Sequence, residues 1–215
     1  LYISGIRAEK NIIFKGNLIS ASIERTTFKD AINLRDATIK NTTFKQCTHK
    51  NSLIFPSTST KGLSFINCHL GYTSQDVQGQ DSDILFENCY SSSLANLRYG
   101  IIRNCILRDY PRYLGVIGYN TLYQNSHLSY PGASATISGM YGINETEWNK
   151  IVVNGRLSDE AKTKYLGTDG TPVGVEGGIG FETIPAIPQI VESEVAGEPD
   201  ADGKLKVKFS VKAHN

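Results

Sequence analysis

The chain has almost no net charge. Its 22 lysines and arginines against 21 aspartates and glutamates leave +1 over 215 residues. No basic stripe argues for a nucleic-acid partner, and no charge block argues for a membrane surface. No apolar run approaches the ~20 residues that a membrane-spanning helix needs, so no membrane insertion is expected. There is no signal peptide, position 1 is Leu rather than Met, and the opening LYISGI already reads as strand. The expectation is that Leu1 is an internal residue of a longer precursor. Methionine and tryptophan occur once each, against 20 glycines and 11 tyrosines, a balance that suits an extracellular β-protein. With 40% hydrophobic residues the chain is long enough for one domain with a core and an appendage. The four cysteines form no CxxC pair, and neither a metal site nor a cofactor is expected.

What is present is a repeated phrase. Copies begin at Ala21 (AxIxRTTF), Ala37 (AxIxNTTF), Leu63 (LxFxNCHL), Ile84 (IxFxNCYS), Gly100 (GxIxNCIL) and Thr121 (TxYxNSHL). In this alignment Arg25, Asn41, Asn67, Asn88, Asn104 and Asn125 share one position. Two residues earlier stand Ile23, Ile39, Phe65, Phe86, Ile102 and Tyr123; three residues later stand Phe28, Phe44, Leu70, Ser91, Leu107 and Leu128. A period-2 pattern runs up to the Asn, shifts by one residue and resumes. Period 2 marks a strand with one buried face. The shift needs a sharp bend, and Asn tolerates the left-handed conformation that a bend requires. One such unit cannot bury its apolar face, but stacked parallel copies can. The spacing suits one coil of a right-handed parallel β-helix. A β-sandwich would explain the strands but not the repeated Asn beside a repeated small residue.

That small residue is Thr26, Thr42, Cys68, Cys89, Cys105 or Ser126. Neighbouring strands lie ~4.8 Å apart, so disulfides along the column are sterically conceivable. Thr and Ser in the same slot cannot pair covalently. Small size is the shared demand, and free buried thiols are expected. No His is placed in this inward column.

The FxNC phrases resemble the right-handed β-helix repeats of the pectate-lyase-like superfamily. Residues 154–178, NGRLSDEAKTKYLGTDGTPVGVEGG, are similar to the closing coil of many secreted bacterial β-helix proteins, which end in a phrase close to DGTDIGAYGG. The two resemblances span about residues 10–180. They imply an all-β fold, a right-handed parallel β-helix, and a secreted or cell-surface location. They leave function open, because this fold hosts lyases, hydrolases, adhesins and inert scaffolds.

The implied organisation is a β-helix over 1–182, with an irregular closing coil, followed over 183–215 by a Pro-spaced linker (TIPAIPQI) and a β-hairpin. In the hairpin, Leu205, Val207, Phe209 and Val211 alternate with Lys204, Lys206, Lys208 and Ser210 around the turn signal Asp202-Gly203. Residues 131–150 read as Gly-rich and irregular, with Trp148 packed on the final coils.

Polysaccharide hydrolases need two carboxylates on one face, and lyases of this fold use calcium and a basic residue. The outward column before the bend reads Glu24, Lys40, Ile66, Glu87, Arg103, Gln124. Glu87 and Arg103 are the candidates for a carboxylate–base pair; the alternative is an ordinary cross-strand ion pair. No second carboxylate joins Glu87, and no acidic cluster points to calcium. Asp169 in GTDGTPVG is explained by turn chemistry. Arg108, Asp109, Tyr110, Arg112, Tyr113 and Tyr119 are the candidates for ligand binding, since tyrosine rings stack on sugars and charged donors hold their hydroxyls or carboxylates. The reading is therefore a carbohydrate-contacting scaffold without a complete active site. The alternative is a polysaccharide lyase or glycoside hydrolase with part of its site on missing N-terminal coils.

The outward positions turn apolar from Leu85 onward: Leu85, Tyr90, Ile101, Ile106 and Leu122. Such a stripe needs a cover. The C-terminal hairpin is the expected one; oligomerisation through Leu85, Ile101 and Leu122 is the alternative.

Overall fold

The computed structural model is mostly β, with parallel sheets. It describes residues 2–4, 7–8, 12–13, 16–19, 21–24, 26–28, 32–34, 37–49, 51–55, 60–73, 83–94, 97–109, 115–124, 136–139, 141–180, 189–195 and 207–212. The chain divides into two units, Leu1–Phe181 and Glu182–Asn215.

In the first unit the strands up to Tyr141–Ile143 divide between two sheets and alternate strictly from Lys61–Ile66 onward. The first sheet takes Tyr2–Ser4, Ser22–Glu24, Ala37–Lys45, Lys61–Ile66, Ile84–Glu87, Tyr99–Arg103, Gly115–Tyr119 and Thr136–Ser138 in that order, with Gly16–Ile19 also beside Ala37–Lys45. The second takes Arg7–Ala8, Thr27–Phe28, Thr48–His49, His69–Thr73, Tyr90–Ser93, Ile106–Leu107, Leu122–Gln124 and Tyr141–Ile143, with a short branch through Ser52–Ile54, Ile32–Asn33 and Ile12–Ile13. All neighbours in both sheets pair in parallel.

The inward row of the first sheet is Ile23, Phe44, Phe65, Phe86 and Ile102, all buried. The rings of Phe44, Phe65 and Phe86 stack with successive centroids 5.0 Å apart, the spacing that parallel strands impose.

This register corrects two of the six copies. Phe44, not Ile39, stands over Ile23; Ile39 pairs with Leu18. The bend after Phe44 is Gln46, with φ 52°, followed by Cys47 in the small-residue slot. The last bend is Asn120 (φ 38°), followed by Thr121, so Tyr123 lies in the second sheet beside Leu107 and is only half-buried. Asn41 is left-handed (φ 50°) but lies inside Ala37–Lys45. There it kinks a strand whose first half pairs with Gly16–Ile19 and whose second half pairs with Ser22–Glu24. The outward column is consequently Glu24, Lys45, Ile66, Glu87, Arg103, Tyr119, with Lys45 and Tyr119 in place of Lys40 and Gln124. His49 also points inward, fully buried on the second sheet, where Phe44 was expected. Arg25 and the segment from Asn125 to Leu128 lie outside the described residues.

All four cysteines are buried free thiols. Their column does more than economise on space. The backbone N–H of Cys47 donates to Cys68 Sγ (3.5 Å), that of Cys68 to Cys89 Sγ (3.4 Å), and that of Cys89 to Cys105 Sγ (3.4 Å). The N–H of Cys105 donates to Thr121 Oγ1 at 3.2 Å. At the bend these N–H groups turn into an apolar interior, where an unpaired donor is costly. The slot therefore needs a small side chain that also accepts a hydrogen bond, which Cys and Thr both supply. Burial, then the neighbouring thiols, push the Cys89 thiol well above its usual range.

The closing segment departs from an all-β irregular coil. Helix α1, Glu145–Ile151, is capped by the Asn144 side chain, and α2, Asp159–Lys164, by Ser158. Between them Val152–Val153 and Arg156–Leu157 form a tight hairpin through Asn154-Gly155, both at positive φ. A Cβ on Gly155 would meet the rings of Tyr90 and His69 within 2.8 Å, so only glycine lets this turn lie flat on the second sheet. Ile106 and Leu122 are buried in a second core with Ile143, Trp148, Val152, Leu157, Ala161, Tyr165 and Val173. The second-sheet half of the apolar stripe is thus covered by this segment of the first unit. Trp148 fills the place expected of it.

From Leu166 to Gly180 the chain runs back along the bends as a strap. Asn120 Nδ2 donates to Leu166 O (3.5 Å), Asn104 Oδ1 accepts from Thr168 N (2.8 Å), and Asn67 Nδ2 donates to Val175 O (3.0 Å) and Gly177 O (2.6 Å). Gln46 Nε2 closes the series on Gly180 O at 3.0 Å. A Cβ on Gly178 would lie 2.3 Å from Asn88 Nδ2. The bend amides therefore do two jobs: they adopt positive φ, and they hold the strap.

The second unit contains one antiparallel pair, Gln189–Val195 with Val207–Lys212, and a register shift between Ile190 and Glu192. Leu205, Asp202 and Gly203 lie outside the described residues. Among the described residues, no helix is long and apolar enough to cross a membrane.

Candidate functional site

The register of the first sheet places Glu87 and Arg103 side by side, and Arg103 Nη2 lies 2.7 Å from Glu87 Oε1. Their side chains are 23% and 41% exposed, so solvent screens the pair. Among the described residues, the nearest carboxylates on this face are remote. Asp83 is four residues back along the strand, ~13 Å at ~3.3 Å per residue. Glu24 is three strands away, ~14 Å at ~4.8 Å per strand. Paired glycosidase carboxylates sit ~5–9.5 Å apart. Among the described residues, Glu87 therefore has an ion-pair partner but no second acid at catalytic range.

The ligand-binding candidates divide between the sheets. Tyr119 is exposed on the outer face of the first sheet, next to Arg103. Arg108 and Asp109 follow the second-sheet strand Ile106–Leu107; Arg108 is exposed and Asp109 half-buried. The backbone holds their turn in place, with Arg108 N donating to Ser91 O (3.0 Å) and Leu94 N to Asp109 O (3.2 Å). Burial raises the Tyr90 phenol; the Arg108 charge opposes that rise and the Asp109 charge adds to it. Tyr110, Arg112 and Tyr113 lie outside the described residues.

The closing segment adds features that the sequence reading did not anticipate. A cleft of about 270 Å³ lies between α1 and α2, floored by Ile151, Ala161 and Tyr165 and rimmed by Glu147, Lys150, Glu160 and Lys164. Tyr165 donates to Glu147 across it at 3.3 Å, and Lys164 stands 3.7 Å from the same carboxylate. Rim charges of both signs give it no preference for one class of ion. Glu176 anchors the strap through Arg156 (3.5 Å) and Lys162 (3.1 Å). Asp169 Oδ1 accepts from Thr171 N and Oγ1 at 3.0 and 2.8 Å, the turn chemistry expected for this phrase. Among the described residues, no group of three or more His, Cys, Asp or Glu is placed to hold a metal ion.

No protein-family model, curated protein or solved structure matches the chain.

Proposed function

We propose that this chain is a right-handed parallel β-helix of the pectate-lyase-like type, secreted or displayed at a cell surface, which contacts carbohydrate without cleaving it. The fold reading is supported by strands that divide between two parallel sheets, alternating from Lys61–Ile66 onward, and by left-handed amides at the bends Gln46, Asn67, Asn88, Asn104 and Asn120. The observation that carries the non-catalytic reading is the Glu87–Arg103 pair: the carboxylate is engaged at 2.7 Å and, among the described residues, no second acid stands within glycosidase range of it. The contact edge is assigned to the segment that begins at Arg108 and Asp109, with Tyr110, Arg112 and Tyr113 as its further candidates from the sequence. Arg108 is exposed there on a turn fixed by backbone hydrogen bonds to the neighbouring strand. A fixed backbone at Arg108 lowers the entropic cost of presenting its guanidinium to a sugar. Retention of the full chain on a glycan array tests this. Arg108→Ala and Tyr110→Ala should weaken retention, while Glu87→Gln should leave it unchanged. Retention untouched by the first two variants would remove the edge from the reading.

A further inference from the structure

The closing segment covers Ile106 and Leu122 on the second sheet, but apolar side chains are exposed on the outer face of the first. They lie in a patch that spans four adjacent strands: Ser64 and Ile66, Leu85 and Glu87, Ile101 and Arg103, Ile117 and Tyr119. Ile101, Ile117 and Tyr119 are 36%, 36% and 37% exposed. Asp83 and Tyr99 edge the patch. Aliphatic side chains with Tyr and Arg are the composition of an interface core.

We propose that this face binds a second copy of the same chain, across a two-fold axis parallel to the strands and midway between Ile84–Glu87 and Tyr99–Arg103. The charge pattern chooses both the occupant and the register. Such an axis reverses the strand order and lays each outward row on its own copy. Glu87 then faces Arg103 of the partner subunit, and Arg103 faces Glu87 of the partner subunit. Leu85 meets Ile101 of the partner subunit, and Ile66 meets Tyr119 of the partner subunit. Other positions of the axis fail. On either of the two central strands it opposes Glu87 or Arg103 to its own copy. One strand earlier it sets Lys45 against Arg103 of the partner subunit, and one strand later it loses both ion pairs.

The patch is small. Four strands at ~4.8 Å and five residues at ~3.3 Å give roughly 300 Å², below the ~800 Å² per partner of a stable interface. The dimer is therefore weak and concentration-dependent.

Sedimentation equilibrium of the full chain tests it, from about 10 μM to about 1 mM. A dimer should appear toward the upper end. Ile101→Asp should abolish it while circular dichroism stays unchanged. Glu87→Arg and Arg103→Glu should each weaken association about tenfold or more, since each opposes like charges across the axis. Mixed in equal amounts, those two variants should associate again: the introduced side chains face each other, and so do the native ones. An altered fold stability does not give rescue by mixing. A chain that stays monomeric at about 1 mM overturns the proposal, as does association that survives Ile101→Asp or a mixture that fails to recover. Association lost on deleting residues 183–215 but indifferent to the face variants would assign it to the C-terminal unit and overturn it as well.

Discussion

Replacing Asn67 separates the two jobs of a bend amide. Its side chain is fully buried and donates to Val175 O and Gly177 O at 3.0 and 2.6 Å, while its backbone sits at φ 49°. Asn67→Gly keeps the left-handed conformation free of strain and removes only the amide. Each lost hydrogen bond is worth ~1 kcal/mol, and two strap carbonyls left unsatisfied raise the total to roughly 2–3 kcal/mol. Asn67→Ala adds the left-handed penalty of ~1–2 kcal/mol, for a total of roughly 3–5 kcal/mol. Asn67→Asp keeps the shape but sets a carboxylate against two carbonyl oxygens. It should cost at least as much as Asn67→Gly at neutral pH, and should recover as acid protonates the carboxyl. Urea unfolding followed by circular dichroism measures the differences, and amide exchange over 166–180 localises them to the strap. An Asn67→Gly chain within about 0.5 kcal/mol of the parent would show that the amide only sets the turn, and the strap argument would fail.

The cysteine column makes a second prediction: Cys89→Ala should cost ~1–3 kcal/mol by stranding the Cys68 N–H, while Cys89→Thr, which Thr121 mimics one strand beyond Cys105, should cost less. The four thiols should resist labelling in the folded chain and all react in denaturant. Because the Cys89 thiol is raised by burial, the folded state binds its proton more tightly than the unfolded state. The associated stability is present below the ordinary thiol value of 9.0 and should fall as pH rises beyond it, read as a falling urea midpoint. Phe65→Ala, which opens a hole between rings stacked at 5.0 Å on both sides, should cost ~3–5 kcal/mol in the same assay. Arg103→Ala should change stability by under ~1 kcal/mol, because its ion pair is screened.

The inward alternation and the left-handed asparagines were legible because period 2 and positive φ leave direct traces in residue type. Two copies were misplaced for a physical reason. The slot after the bend accepts Thr as readily as Cys, so NTTF at 41–44 imitated a bend while FKQC at 44–47 held it. Gln46 does not match the Asn of the phrase, although Phe44 and Cys47 around it complete the FxNC pattern of the later strands. The same error moved Lys40 and Gln124 into an outward column that belongs to Lys45 and Tyr119. The strap was not legible at all. Its contacts run from the bend amides to backbone groups 46 to 134 residues later, and a backbone group carries no sequence signature. Nor did the outward stripe reveal that its two halves lie on different sheets, one covered by α1, α2 and their hairpin and one still open. For the candidate site, adjacency of Glu87 and Arg103 followed from the repeat, because both copies were in register. The separation of Tyr119 from Arg108 did not, because Tyr119 lay outside the phrase.

The central functional claim is contact without cleavage. The most direct measurement incubates the full chain with immobilised uronic-acid and neutral polysaccharides, with and without calcium, and follows retention and new chain ends on the same samples. Retention with no unsaturated or reducing ends released is the predicted result. Release of ends that disappears in Glu87→Gln or Arg103→Ala would contradict it and make the outer face of the first sheet an active site.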